Sequence, residues 1–178
     1  VTAAMILADL DRWLAANAPR TLSLMHPPAS QEQLRELESR LGFALLPEVA
    51  STLLWHNGAT EEMGGFQLAP TYWLTSAARV AGDASRLRAT ARASNPEAWD
   101  VHWVPLAADR CGAYLVVDHT PAVDTGRTFL WEPENGEDAM GSWTGLEELY
   151  SELRSALLGG APWLDNSYQM VDGGVEWE

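Results

Sequence analysis

Apolar positions recur at helical spacing along the first third of the chain. Met5, Ile6, Leu10, Trp13 and Leu14 fall three or four residues apart, with Asp9, Asp11 and Arg12 mostly off that face, which predicts an amphipathic helix over residues 3–16. Breakers follow at Pro19 and Pro27-Pro28. Ser30 with Gln33 then matches a capping box, in which a hydroxyl and an amide satisfy free backbone donors at a helix start, and Leu34, Leu37 and Leu41 line one side of the helix it opens. Pro47 suits a first helical position and Gly58 the residue past a helix end, so 47–56 predicts a short helix with Leu53, Leu54 and Trp55 on its apolar side.

Strand patterns occupy the middle of the chain. Gly64–Leu68 predicts a short strand entered through a turn. Residues 75–94, rich in Ala and Arg, predict a helix through Val80, Leu87 and Ala91, weakened at Gly82 and limited by Pro96. Trp103–Asp109 leads through a Gly-containing turn into the aromatic and β-branched run Tyr114–Val117, a hairpin pattern. Thr128–Trp131 reads as the last clear strand, closed by Pro133-Glu134-Asn135-Gly136. Thr144 with Glu147 forms a second capping box, and Leu146, Leu149, Tyr150, Leu153 and Leu157 face one way along a helix ending at Gly159-Gly160.

Helices first, strands in the middle and a helix last predict an α+β fold. Its sheet is mainly antiparallel, with N-terminal helices and a C-terminal helix packed on it. The expected core holds Leu46, Leu53, Trp55, Leu115, Val117, Leu130, Leu149 and Leu153. The tail Ala161–Glu178 carries Trp163, Tyr168 and Trp177 among acids, an aromatic content that argues against disorder. It is expected to pack back on the sheet or to cover a partner site.

Composition narrows the function. At 178 residues and 47% hydrophobic content, one domain spanning 1–178 is the expectation. Eleven basic residues, all Arg, stand against twenty-five acids, a formal net charge of -14. That balance repels phosphate backbones and anionic membranes and favours basic protein partners. Cys111 has no second cysteine for a disulfide or a zinc pair. With neither a secretory-signal pattern nor an apolar run of membrane-spanning length, the chain reads as soluble and cytoplasmic.

Catalytic patterns are few. His26, His56, His102 and His119 lack metal-ligand spacing, no Gly-x-Ser-x-Gly elbow occurs, and Gly64-Gly65 is too brief for a phosphate loop. The reading is therefore a non-enzyme without metal or cofactor. Asp118-His119 with Asp124 could ligate a hard cation or supply acid–base groups, but Asp at a strand end before a proline turn is commonly a turn former. Nine tryptophans stand out more. Trp13, Trp55 and Trp143 suit core positions, whereas Trp73, Trp99, Trp103 and Trp131 flank turns and strands near acids. Interface hot spots favour Trp, and acids steer basic partners, so Trp73, Trp103, Trp131, Glu132 and Glu134 are the candidate partner-binding set.

Leu41, Gly42, Leu46, Pro47, Asn57 and Gly58, followed by Trp103, Pro105, Asp109, Gly112, Leu115 and Asp118 and closed by Ser142-Trp143 before a Leu-rich helix, resemble the SMI1/KNR4 family of the SUKH superfamily. The resemblance covers about residues 30–158 and leaves 1–29 and 159–178 outside. It implies the same α+β fold. In bacteria it implies an immunity protein that blocks a toxin, here a basic one such as a nuclease. In eukaryotes it implies a scaffold or regulator of cell-wall or signalling assemblies. A small hydrolase using Asp109, Asp118 and His119 is the remaining reading, and it requires those groups to converge.

Overall fold

The hairpin at residues 103–118 lies at the centre of a six-stranded antiparallel meander, in a computed structural model that describes residues 2–178 apart from the side chains of Ala139 and Met140. Its strands are β1 (Gln67–Ala69), β2 (Tyr72–Leu74), β3 (Trp103–Ala108), β4 (Tyr114–Asp118), β5 (Thr128–Glu132) and β6 (Gly136–Trp143), side by side in chain order. The helices are α1 (Ala3–Asn17), α2 (Pro19–Ser23), α3 (Gln31–Leu41), α4 (Pro47–Trp55), α5 (Ala77–Ser94) and α6 (Leu146–Gly159). A second hairpin, β7 (Tyr168–Val171) with β8 (Gly174–Trp177), follows. The chain thus has the expected α+β fold, with a mainly antiparallel sheet.

The central strands are apolar on both sides, and alternate side chains enter two different cores. Leu115, Val117 and Leu130 join Ile6, Leu10, Leu37, Leu53, Leu149 and Leu153 in the main core beneath the helices. Tyr114, Val116, Phe129 and Trp131 point the other way, where Leu87 and Ala91 of α5 and Trp99 cover them. One helix serves both layers, since Val80, Ala81 and Ala84 in the first half of α5 belong to the main core. Six of the eight expected core residues are buried; Leu46 and Trp55 are partly exposed at its margin.

Local chemistry accounts for the element ends. The capping box at α3 forms as expected: the Ser30 hydroxyl accepts from the Gln33 amide N–H at 3.1 Å, and the Gln33 side chain accepts from the Ser30 N–H at 2.8 Å. Helix α4 ends at Trp55, and Asn57-Gly58 serves the next helix, the Asn57 side-chain oxygen accepting from the N–H of Ala77 at 2.8 Å. Gly58 has φ of +91°, and a Cβ there would lie 2.7 Å from the Ser76 nitrogen, so the close approach of the chain after α4 to the start of α5 requires glycine. The second capping box is not formed. Gly145 is the N-cap of α6, while the Glu148 carboxylate accepts from both the N–H and the hydroxyl of Thr144, at 2.7 and 2.8 Å.

Four elements lie outside the sequence expectations: α2, β2, β6 and the β7–β8 hairpin. Ser142 lies on β6, so Thr128–Trp131 is not the last strand. Strand β6 escapes alternation because its pairing with β5 is irregular. Ser142 faces Phe129 but Asp138 faces Leu130, leaving residues 139–141 as extra length. Gly141 sits within that bulge, where a Cβ would come 2.5 Å from the Leu130 side chain. The tail packs on helices rather than on the sheet. The Tyr168 hydroxyl donates to the Leu157 carbonyl at 2.9 Å, the Arg20 N–H to the Gly173 carbonyl at 2.9 Å, and the Val175 N–H to the Thr21 hydroxyl at 2.8 Å. Trp13 meets Tyr168 edge-on at 5.8 Å.

Leu53 and Leu115 are both fully buried in the main core. Leu53→Ala and Leu115→Ala should each lower stability by roughly 2–5 kcal/mol, measured by chemical denaturation; losses under about 1 kcal/mol for both would contradict this packing.

Candidate functional site

The structure divides the five residues nominated for partner binding. Trp73, Ala108, Tyr114 and Trp131 stand opposite one another across β2 to β5, so the two tryptophans share a face and a row. Trp131 is only 6% exposed, packed edge-to-face on Trp99 at 5.0 Å. It belongs to the second core and offers no contact surface, a correction to its nomination. Alternation alone could not show this, because the cover comes from α5 and Trp99, distant in sequence. Trp103 is half-buried at the other end of β3, edge-on to Trp99 at 5.4 Å and to Phe129 at 5.0 Å. Trp73 is also half-buried; its indole N–H donates to the Glu62 carbonyl at 3.1 Å, and the Arg110 guanidinium stacks on its ring at 4.9 Å.

Glu132 and Glu134 lie at one end of the sheet, where the β3–β4 and β5–β6 turns come together. Glu134 is exposed, and the Glu132 carboxylate accepts from the Asn135 amide at 2.9 Å. Burial, then Asp109, Glu132 and Asp138, push the Tyr72 hydroxyl up to about 12, so those three acids crowd the same end of the sheet.

Asp109, Asp118 and His119 do not converge. Asp109 closes the β3–β4 turn, one carboxylate oxygen accepting from the N–H groups of Cys111 and Ala113 at 2.8 and 2.7 Å. Asp118 lies at the far end of β4, roughly 13 Å along the strand at 3.3 Å per residue, and accepts from the Thr120 N–H at 2.8 Å. Both are turn formers. His119 is buried between two backbone partners: Nδ1 donates to the Val117 carbonyl at 3.1 Å, and Nε2 accepts from the Leu46 N–H at 3.1 Å. That pairing requires the neutral ring. The histidine ties the chain ahead of α4 to the end of the sheet. Among the described residues no group of three or more His, Cys, Asp or Glu could hold a metal ion, and no helix is long and apolar enough to cross a membrane.

Sequence reasoning missed an open cleft of about 640 Å³ between the end of β6, α6 and the tail. At its centre one Glu152 oxygen accepts both indole N–H groups of Trp143 and Trp163, at 2.6 and 2.9 Å. Glu148, Ser151 and Ser155 form the α6 wall. The signal was weak: Trp143 suited a core position, Glu152 one of many helix acids, and Trp163 lay outside the resemblance. A second cavity of about 260 Å³ lies between Tyr72, Leu130, Asp138 and Asp165, and Leu164 lines both.

An antiparallel meander packed between helical layers, with turn-forming rather than convergent acids, defines an acidic α+β domain. A model of the SMI1 / KNR4 family (SUKH-1) matches residues 28–152, and the chain belongs to that family. No curated protein matches the chain. The matched span contains α3 to β6 and the first half of α6, whereas α1, α2 and the β7–β8 hairpin lie outside it.

Burial pushes the His119 imidazole below its usual range, against the opposing pull of the Val117 carbonyl, Asp118 and Glu48. A depressed folded-state pKa gives stability that is complete above the unfolded value of about 6.5 and is lost as pH falls through the folded value. Denaturation series should show stability declining as pH drops below about 6.5, and a flatter profile in His119→Gln, which keeps an acceptor without a titrating ring. His119→Leu, which strands the Leu46 N–H, should lose about 1–3 kcal/mol. Identical pH profiles for the natural protein and His119→Gln would contradict this role.

Proposed function

We propose that the chain is a non-enzymatic, protein-binding member of its family: a bacterial immunity protein that sits on a toxin domain in the cytoplasm and blocks it. The observation that carries this reading is the family membership of residues 28–152. The net charge of -14 supports a basic toxin, and nucleases are one such class because their substrate is polyanionic. Separation of Asp109 from Asp118, with His119 held by Val117 and Leu46, supports a binding role over hydrolysis.

The turn end of the sheet is the proposed docking region on this reading. Glu132 and Glu134 steer the approach there, the accessible part of Trp73 supplies apolar contact beside them, and Trp103, at the opposite end of β3, extends the contact along the same layer. Trp131 supports these residues from within the second core.

Co-purification from the source cells, with partners identified by mass, is the direct test; a basic toxin domain is the expected partner. Association with it should slow as ionic strength rises to about 0.15 M, where the screening length is about 8 Å. Replacing Glu132 and Glu134 with Gln should lower the association rate without altering the denaturation curve. Trp103→Ala should chiefly raise the dissociation rate, a loss on the order of 2 kcal/mol of binding. Kinetics indifferent to salt and to all three substitutions would remove this docking region.

A further inference from the structure

The cavity of about 260 Å³ at the turn end of the sheet holds a polar group that the fold does not use. No helix residue lines it; its walls are Tyr72 of β2, Leu130 of β5, Asp138 of β6 and Leu164 and Asp165 of the tail. Tyr72 alternates with Trp73 along β2, so it faces away from the second core. Its side chain is only 7% exposed, yet among the described residues no hydrogen bond reaches its hydroxyl. A buried phenol ordinarily has a partner, and this one has only the cavity. The hydroxyl lies in the field of Asp109, Glu132 and Asp138, which with burial keeps it protonated at neutral pH. Among the described residues neither Glu132 nor Asp165 forms an ion pair. Arg110, at the same end of the sheet, is stacked on Trp73, whose side chain faces the other layer.

A neutral hydroxyl among carboxylates repels anions and, as an acceptor, suits a positively charged donor. A bare metal ion does not fit, because among the described residues no three acids are placed to hold one. A guanidinium fits less well than an ammonium: the acceptors come from separate strands and from the tail, whereas a planar fork is matched by paired oxygens on one group. An ammonium is compact and has three donors to share among separate acceptors, and Leu130 and Leu164 suit the methylene stem of a lysine. We propose that this cavity receives a lysine side chain of the protein partner, its ammonium donating to the Tyr72 hydroxyl and balanced by Asp138 and Asp165. All eleven basic residues of the chain are arginine, so a second copy has no lysine to supply. The inference rests on the proposed reading of a basic protein partner, and it names the group such a partner inserts and the residue that receives it.

The test uses the full chain, isotope-labelled so that backbone amide signals are seen by nuclear magnetic resonance. It is titrated with N-acetyl-lysine amide, with the same probe acetylated to neutrality at Nζ, and with N-acetyl-arginine amide. The amide signals of Gly141 and Leu164, both at the cavity, should move saturably with the lysine probe, about tenfold more weakly with the neutral one, and less with arginine than with lysine. Tyr72→Phe should weaken the lysine response about tenfold without lowering the denaturation midpoint, because no hydrogen bond within the protein is lost. Asp165→Asn should weaken it too, and Asn tolerates the left-handed backbone at that position, where φ is +59°. Glu97→Gln removes the same charge beside the second core and should leave the titration unchanged. Equal responses to the charged and neutral probes, a stronger response to arginine than to lysine, or an unchanged titration in Tyr72→Phe would overturn the inference. So would a loss of stability in Tyr72→Phe, which would reveal a partner within the protein, or an effect of Glu97→Gln as large as that of Asp165→Asn. Failure here beside a salt-sensitive toxin complex removes the lysine site and leaves the proposed function standing. Lysine binding with co-purified partners that include no toxin supports the site and removes the toxin reading.

Discussion

Burial of β3, β4 and β5 on both faces is the constraint from which the rest of the arrangement follows. A strand apolar on alternate sides must be covered twice. Helices α1, α4 and α6 cover one side, while α5 and Trp99 cover the other. The second layer closes around Trp99, whose ring meets Trp103, Tyr114 and Trp131 edge-on at 5.4, 6.2 and 5.0 Å. Once Trp99, Tyr114 and Trp131 are committed to packing, they cannot also form the floor of an interface; of this group only Trp103 keeps an accessible part. The accessible groups around this layer lie at the ends and edges of the sheet, where the turns, the irregular strand β6 and the tail remain.

At that edge the family fold and the segments outside it meet. Glu152, the last residue of the matched span, bonds Trp163 of the tail, while the Tyr168 hydroxyl reaches α6 and the Gly173 carbonyl reaches α2. The tail therefore completes the packing of α1 and α2 and supplies one wall of the cleft. Leu164, between the two cavities, has φ of +49°, and Asp165 follows at +59°. A branched residue in the left-handed region costs on the order of 1–3 kcal/mol, held here by the surrounding contacts, including the paired backbone bonds of Trp163 and Asn166 at 2.7 and 2.9 Å.

How far the sequence could be read depended on whether an element announced itself locally. Helices with strong periodicity or a capping box were legible, as was the hairpin whose strands carry β-branched and aromatic runs. Strand β6 was hidden because its sequence GEDAMGSW has neither alternation nor strand propensity, and its pairing requires a bulge that Gly141 accommodates. The second capping box failed because Glu148, one residue beyond the expected Glu147, takes both Thr144 donors. Trp131 and Trp103 have similar surroundings in sequence. Only the distant cover of α5 and Trp99 separates a buried ring from a half-exposed one, and that is tertiary information.

Charge shows the same dependence on folding. The net value of -14 says nothing of where the excess lies, yet pairing distributes it unevenly. Arg79 bonds Glu61 at 2.6 Å and approaches Asp83 at 3.4 Å, Arg86 approaches Asp83 at 3.4 Å, Arg127 holds Glu137, and Arg154 holds Asp9. These arginines neutralise acids along α5, β6 and α1, whereas Glu132, Glu134, Glu148 and Glu152 form no ion pair among the described residues. Among the described residues, exposed acids without an arginine partner also lie elsewhere on the surface, Glu32, Glu36, Glu97 and Glu147 included, and Arg110 stands at the turn end of the sheet itself, stacked on Trp73. The negative field is therefore spread over much of the surface, so charge can speed the approach of a cationic group but cannot by itself choose the face that receives it.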